Sequence, residues 1–265
     1  MSRREASENV ESWDAYLTTI EGRAASVLVN LGLLETAPLP GLDTLHHWIL
    51  PMQDPGRMGV GSPAEAEGFE AVEEEVTSRL ARLGFCPVGR LRYDGNWHMS
   101  YYAAGDRRDD LREVLDRVLG NVVEHAQLNT EVDSQWEYYF GFLRPDRQQA
   151  QWMFDRDRVL ELRRAGDDLS PRGVSHYAYF PSEPEARAFA SEAGERGFTC
   201  VSAHAEDAVA QLAWMVRAHR HDEIELHAIH VTVMGLVELA EACGGEYDRW
   251  SVGDEDDEDD PSVHD

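Results

Sequence analysis

Val174-Ser175-His176-Tyr177-Ala178-Tyr179-Phe180-Pro181, running into Ser182-Glu183-Pro184-Glu185, decides the fold because its punctuation occurs twice. The earlier copy is Leu45-His46-His47-Trp48-Ile49-Leu50-Pro51, followed by Ser62-Pro63-Ala64-Glu65. Each reads as an apolar strand with a histidine beside an aromatic. Each stops at proline, which has no N–H for a ladder. Each then has a serine with glutamate three residues on, a capping-box pattern that predicts a helix start. Proline sits in the first turn of both, where its missing donor costs nothing. Phe69, Val72, Val76, Leu80 and Leu83 recur at helical spacing in the first copy, and Ala186, Phe189, Ala190 and Ala193 in the second. Both helices should end at Gly-Phe, at Gly84-Phe85 and Gly197-Phe198, since glycine suits a left-handed cap. The second helix should be about two turns shorter.

Each copy continues alike. In the first, strands at residues 88–93 and 97–103 flank Asp94-Gly95-Asn96, a hairpin signal. In the second, residues 198–204 and 208–219 read as strands. Helices at 106–119 and 222–242 follow, the latter stopped by Gly244-Gly245. Final strands are predicted near 126–132 and 246–252. The order strand-helix-strand-strand-helix-strand is ferredoxin-like. The fold class is therefore α+β: two tandem ferredoxin-like domains, each an antiparallel sheet with helices on one face. A hairpin at 13–20 and 24–31 precedes the first. Residues 136–143 read as an added strand or the end of the first sheet. A helix near 146–164, broken at Gly166-Asp167-Asp168, carries Trp152, Val159 and Leu162 on one face and should pack against one or both domains. The expected organisation is a disordered segment at 1–11, a domain at 12–145, a connecting helix at 146–169, a second domain at 170–253 and a disordered acidic tail at 254–265.

The 265 residues allow one large domain or two ordinary ones. Formal net charge is −27, and every basic side chain apart from histidine is arginine. Such a surface repels phosphate and anionic lipid, so direct nucleic acid binding and membrane binding are not expected. The absence of lysine excludes a Schiff base, a phosphate-loop lysine and a lysine general base. Cys86, Cys200 and Cys243 are odd in number and far apart, so they read as small buried hydrophobes and not as a disulfide framework. The first eleven residues lack an apolar core and no apolar run approaches spanning length, which predicts a soluble, cytoplasmic protein.

Gly245-Glu246-Tyr247-Asp248-Arg249-Trp250-Ser251-Val252-Gly253 leads into Asp254-Glu255-Asp256-Asp257-Glu258-Asp259-Asp260. Strict alternation puts Tyr247, Arg249 and Ser251 on one side of a strand and Asp248, Trp250 and Val252 on the other. One of Tyr247 and Trp250 should enter the core while the other faces solvent as an interface anchor. Seven adjacent carboxylates repel one another and bring no apolar area to offset chain entropy. They suit a basic protein segment as partner. The candidate binding residues are thus Tyr247, Asp248, Trp250, Asp254, Glu255, Asp256, Asp257, Glu258, Asp259 and Asp260.

The second half resembles the bacterial regulator of ribonuclease E activity B family. The residues carrying this are 174–181, 182–198 and above all Glu246-Tyr247-Asp248-Arg249-Trp250 with its acidic sequel; members have a Glu-Tyr-Asp-x-Trp strand before Asp/Glu-rich sequence. The first half is similar to the domain-of-unknown-function family 695, through Trp13-Asp14-Ala15-Tyr16-Leu17, Ala25-Ser26-Val27-Leu28-Val29-Asn30-Leu31 and the boundary Asp167-Asp168-Leu169-Ser170. The resemblance implies a non-enzymatic inhibitor that binds a ribonuclease E-type nuclease by protein contact, without a cofactor. It assigns the first half no activity.

Two other readings stand beside this. His219, His221, His227 and His230, with Asp222 or Glu225, offer donors for a metal-dependent enzyme, although their spacing matches no metalloenzyme signature. A sheet with an open edge also suits a self-associating structural module. Asp109-Asp110 and Asp167-Asp168 fit caps and turns. Asp155, Arg156, Asp157 and Arg158 alternate in sign and read as a solvated helix face.

Overall fold

The computed structural model describes residues 12–204 and 212–253. The expected disorder at 1–11 and 254–265, and the start of the strand anticipated at 208, lie outside them. The chain divides into two units after Met153.

In the first unit, β1 (Trp13–Ile20) and β2 (Arg23–Asn30) form a hairpin ahead of β3 (Thr44–Pro51), α1 (Pro63–Arg82), β4 (Cys86–Tyr93), β5 (Asn96–Ala103), α2 (Arg108–Leu119) and β6 (Gln127–Val132). The sheet order is β1-β2-β4-β5-β3-β6, with every pairing antiparallel. The four strands β6-β3-β5-β4 give the ferredoxin-like arrangement, and the hairpin extends the β4 edge. At the β4–β5 turn, Asp94 and Gly95 both take positive φ, 48° and 74°. This two-residue geometry matches strand twist, as the Asp-Gly pair predicts.

The second unit has β7 (Arg172–Phe180), α4 (Glu183–Glu195), β8 (Thr199–His204), β9 (Trp214–Asp222), α5 (Leu226–Ala242) and β10 (Glu246–Val252). Its order, β10-β7-β9-β8, is the same as that of the four-stranded core of the first sheet. α4 is shorter than α1, 13 residues against 20.

The repeated punctuation has a repeated cause. Gly84 and Gly197 take φ +88° and +89°, and the next residue's N–H returns to a carbonyl in the last turn. Phe85 N donates to Leu80 O and Phe198 N to Ala193 O, both at 3.1 Å. The phenylalanine following each glycine is thereby folded back into its core. The starts are less alike. Ser62 Oγ accepts from Glu65 N at 3.2 Å, whereas Ser182 makes no side-chain cap bond. The Glu65 carboxylate accepts from Gln53 N and Asp54 N and so braces the preceding loop, which leaves only half of the expected box.

Residues 136–143 are not a strand. They form a helical turn that ends as a π-helix, Tyr139–Leu143. Asp133 explains it: its carboxylate accepts from Glu137 N at 2.8 Å and Tyr138 N at 3.0 Å, satisfying donors that a helix start leaves open. Trp136, Tyr139 and Leu143 then fall on one face and pack against Val27, Val88, Leu91 and Tyr102. Trp136 stacks on Tyr102 with ring centroids 4.0 Å apart. The first sheet is therefore covered on both faces, by α1 and α2 on one side and by this segment on the other.

α3 (Arg147–Arg164) contributes side chains to a core of each unit. Met153 belongs to the core of the first unit, while Val159 belongs to that of the second. The three cysteines form no disulfide among the described residues; they are half-buried and packed at the edges of the cores.

The cap geometry gives a paired test. Gly84→Ala puts a Cβ where φ is +88° and should cost about 1–2 kcal/mol. Gly68→Ala, in the interior of α1 with nothing within 4 Å of the new carbon, should gain about 0.5–1 kcal/mol. Opposite changes in urea midpoint check both.

Candidate functional site

Among the described residues β10 is an edge strand paired to β7, and its register breaks once. Tyr247 opposes Ala178 and Arg249 opposes Tyr177, so Asp248 is an extra residue bulged out of the ladder. The bulge overturns strict alternation. Tyr247 aligns with Ala178 and Trp250 with His176, and both of these face the helices. Tyr247 and Trp250 therefore enter the same core, against the expectation that they diverge. Trp250 is 1% exposed and lies among Val159, Ile229, Val233 and Val237. Of the candidate residues in this strand, Asp248 is the one left on the surface, where it pairs with Arg249 at 2.9 Å. Asp254 to Asp260 lie outside the described residues.

A buried carboxylate holds this strand. Asp155 of α3 has no exposed surface; Trp250 donates from Nε1 to its Oδ1 at 2.9 Å, and His230 donates from Nδ1 to its Oδ2 at 2.8 Å. A carboxylate only accepts, which fixes the proton of His230 on Nδ1 when the ring is neutral. The solvated face expected for 155–158 is thus wrong at its first member. Asp155 precedes Val159 by four residues and Leu162 by seven, so it shares their inward stripe. Sequence reasoning missed Asp155 as a site residue, although that spacing was its signal.

His176 was missed as well. It is 1% exposed, and its Nδ1 lies 2.9 Å from the Tyr247 hydroxyl. Burial, reinforced by the charges of Arg220 and His219, pushes its pKa down to about 3. Burial also raises the Tyr247 phenol well above its usual value. The pair is a neutral polar link inside the core.

The four histidines of the metal reading are not brought together. His219 is at β9 with its Nδ1 3.1 Å from Ser175 Oγ, His221 is exposed further along the strand, and His227 is exposed in the first turn of α5. His230 is engaged by Asp155. Among the described residues no three His, Cys, Asp or Glu side chains are placed to hold a metal ion. Asp167 and Asp168 make turn contacts, accepting from Leu169 N and Ser170 N.

The sheet face opposite the helices carries a second arrangement. Arg249, Tyr177, Arg217 and Val201 lie side by side across β10, β7, β9 and β8. The Arg249 guanidinium stands 4.7 Å from the Tyr177 ring centroid.

Comparison with protein families gives two matches. Residues 11–144 match a family of unknown function, DUF695, and residues 152–252 match Regulator of ribonuclease activity B. The chain belongs to the DUF695 family and carries a regulator B domain after it. No curated protein matches the chain.

The regulator B match begins at residue 152, ahead of the region whose motifs carry the resemblance, and so includes Asp155. The clasp between Asp155 and Trp250 joins the two ends of the matched region. The match stops at Val252, before the acidic run. No helix among the described residues is long and apolar enough to cross a membrane.

Two outcomes follow for the regulator B domain. Trp250→Phe removes a buried donor from Asp155 and should cost about 1–3 kcal/mol in equilibrium unfolding. His176 is held neutral in the fold, with a pKa near 3 against 6.5 in the unfolded chain. Below about pH 6.5 the unfolded chain takes up a proton that the native ring refuses, so stability is lost as pH falls from 6.5 toward 3. His176→Phe should flatten that slope, read as unfolding midpoint against pH.

Proposed function

We propose that this chain is a non-enzymatic, cytoplasmic regulator that binds an RNA-processing endoribonuclease of the ribonuclease E type and lowers its action. The observation that carries the reading is the regulator B match over residues 152–252. In this reading residues 170–253 form the regulator domain, 146–169 the connecting helix and 12–145 an accompanying domain. Charge supplies the mechanism. A molecule of formal charge −27 has little attraction for RNA and strong attraction for arginine-rich segments of an RNA-binding nuclease. The run Asp254-Glu255-Asp256-Asp257-Glu258-Asp259-Asp260 places seven carboxylates directly after β10. Carboxylates that engage a basic segment occupy sites that RNA phosphates would otherwise use. Inhibition then needs neither cofactor nor catalytic group.

Co-precipitation with a ribonuclease E-type nuclease in moderate salt tests this. The full chain should capture the nuclease, and the chain lacking residues 254–265 should capture at least tenfold less. Failure of both to bind would remove the reading.

A further inference from the structure

The hairpin β1–β2 carries the first sheet past the helices that cover it. Among the described residues, the core beneath α1 and α2 takes its strand side chains from β3, β5 and β6, and none from β1 or β2. Leu28 of β2 aligns with Arg90 of β4, which aligns with Met99 of that core, so Leu28 lies on the helix-bearing face. Ala15 aligns with Leu28, and Trp13, two residues away on β1, shares its face. A step is left where the cover of α1 ends and the hairpin goes on. There Trp13 and Leu28 on one side and Glu70, Glu73 and Glu74 of α1 on the other line a cavity of about 310 Å³. That is at the lower end of small-ligand sites, about 300–1,000 Å³.

The charge of the cavity names its occupant. The three glutamates share one flank of α1, because residues three and four apart are neighbours on a helix. Glu73 is half-buried and pairs with Arg90, which also lines the cavity. The Arg90 guanidinium carbon stands 5.7 Å from the Trp97 ring centroid. A carboxylate and an indole thus already hold one guanidinium here. Glu70 and Glu74 are exposed and form no ion pair or hydrogen bond among the described residues. As like charges four positions apart they repel each other. Three carboxylates against one guanidinium leave the lining with two uncompensated negative charges beside an indole.

We propose that this cavity takes the side chain of an arginine residue within a polypeptide, its guanidinium on the Trp13 indole, its stem along Leu28 and its N–H groups donated to Glu70 and Glu74. An indole face is the best aromatic partner for a cation. The planar guanidinium stacks on rings and meets carboxylates with a fork of donors, whereas an ammonium is compact and strongly hydrated. Free arginine would bring an α-carboxylate that the glutamates repel, and a residue within a chain carries none. The site lies in the first unit, outside the regulator B match. It goes beyond the nuclease reading and holds whichever protein supplies the arginine.

Titration of the full chain with the peptide Gly-Arg-Gly, blocked at both ends, decides it. The readout is the indole N–H resonance of Trp13, assigned with Trp13→Phe, together with the Leu28 methyl signals. Both should move and saturate. The same peptide with citrulline in place of arginine has the same shape without the charge and should leave them unmoved. The double variant Glu70→Gln, Glu74→Gln removes a repulsion from an exposed helix flank, so its urea midpoint should not fall. It should bind the arginine peptide roughly tenfold more weakly. Free arginine should bind more weakly than the blocked peptide. A citrulline response equal to that of arginine, undiminished affinity in the double variant, or a Trp13 signal that stays still while others saturate would overturn the proposal. Free arginine binding as tightly as the peptide would overturn its polypeptide source. None of these outcomes involves a nuclease, so this site and the nuclease reading fail separately.

Discussion

The second unit depends on one buried carboxylate. Asp155 comes from a helix that precedes the sheet in sequence, yet its two oxygens take the indole of Trp250 and the imidazole of His230. An ionised group without solvent contact is costly unless its lone pairs are met. That cost makes the arrangement specific. α3, α5 and β10 must all be in register before the carboxylate is satisfied, and any one displaced would leave the charge buried with fewer partners. β10 gains most from this, since among the described residues it has a ladder on one side only.

The bulge at Asp248 completes what the carboxylate begins. By adding one residue to the strand, it sends both large aromatics inward and leaves Asp248 and Arg249 outside. A regular strand would have spent one aromatic on solvent. It would also have changed which side chain stands over Tyr177. The stacking of Arg249 on Tyr177 and the aromatic core of this unit are thus two results of one irregular residue.

The paired fold was legible because its signals were local. Serine and proline at helix starts, glycine followed by phenylalanine at helix ends, and the Asp-Gly turn each act within a few residues, and they recur at matching places in both halves. What failed to show was non-local or irregular. Residues 136–143 have the aromatic content of a strand, and only the capping by Asp133 turns them into helix. Alternation misplaced Tyr247 and Trp250, because a bulge leaves no mark in composition. Asp155 looked like one member of a charged series, and its inward position was visible only through its spacing to Val159 and Leu162. His176 looked like a strand residue beside an aromatic, which it is; its link to Tyr247 spans 71 positions.

The two faces of the second sheet follow opposite electrostatic rules. Inside, the Asp155 carboxylate is met by bonded donors, Arg220 lies over the Phe198 ring and pairs with Asp222, and the polar pair His176 and Tyr247 is kept neutral by burial. Outside, the Arg249 guanidinium stands over the Tyr177 ring and pairs with Asp248 at 2.9 Å. Exposed ion pairs of this kind are individually weak and are screened within about 8 Å at physiological salt, so this surface adds little to the stability that the buried carboxylate and the aromatic core supply.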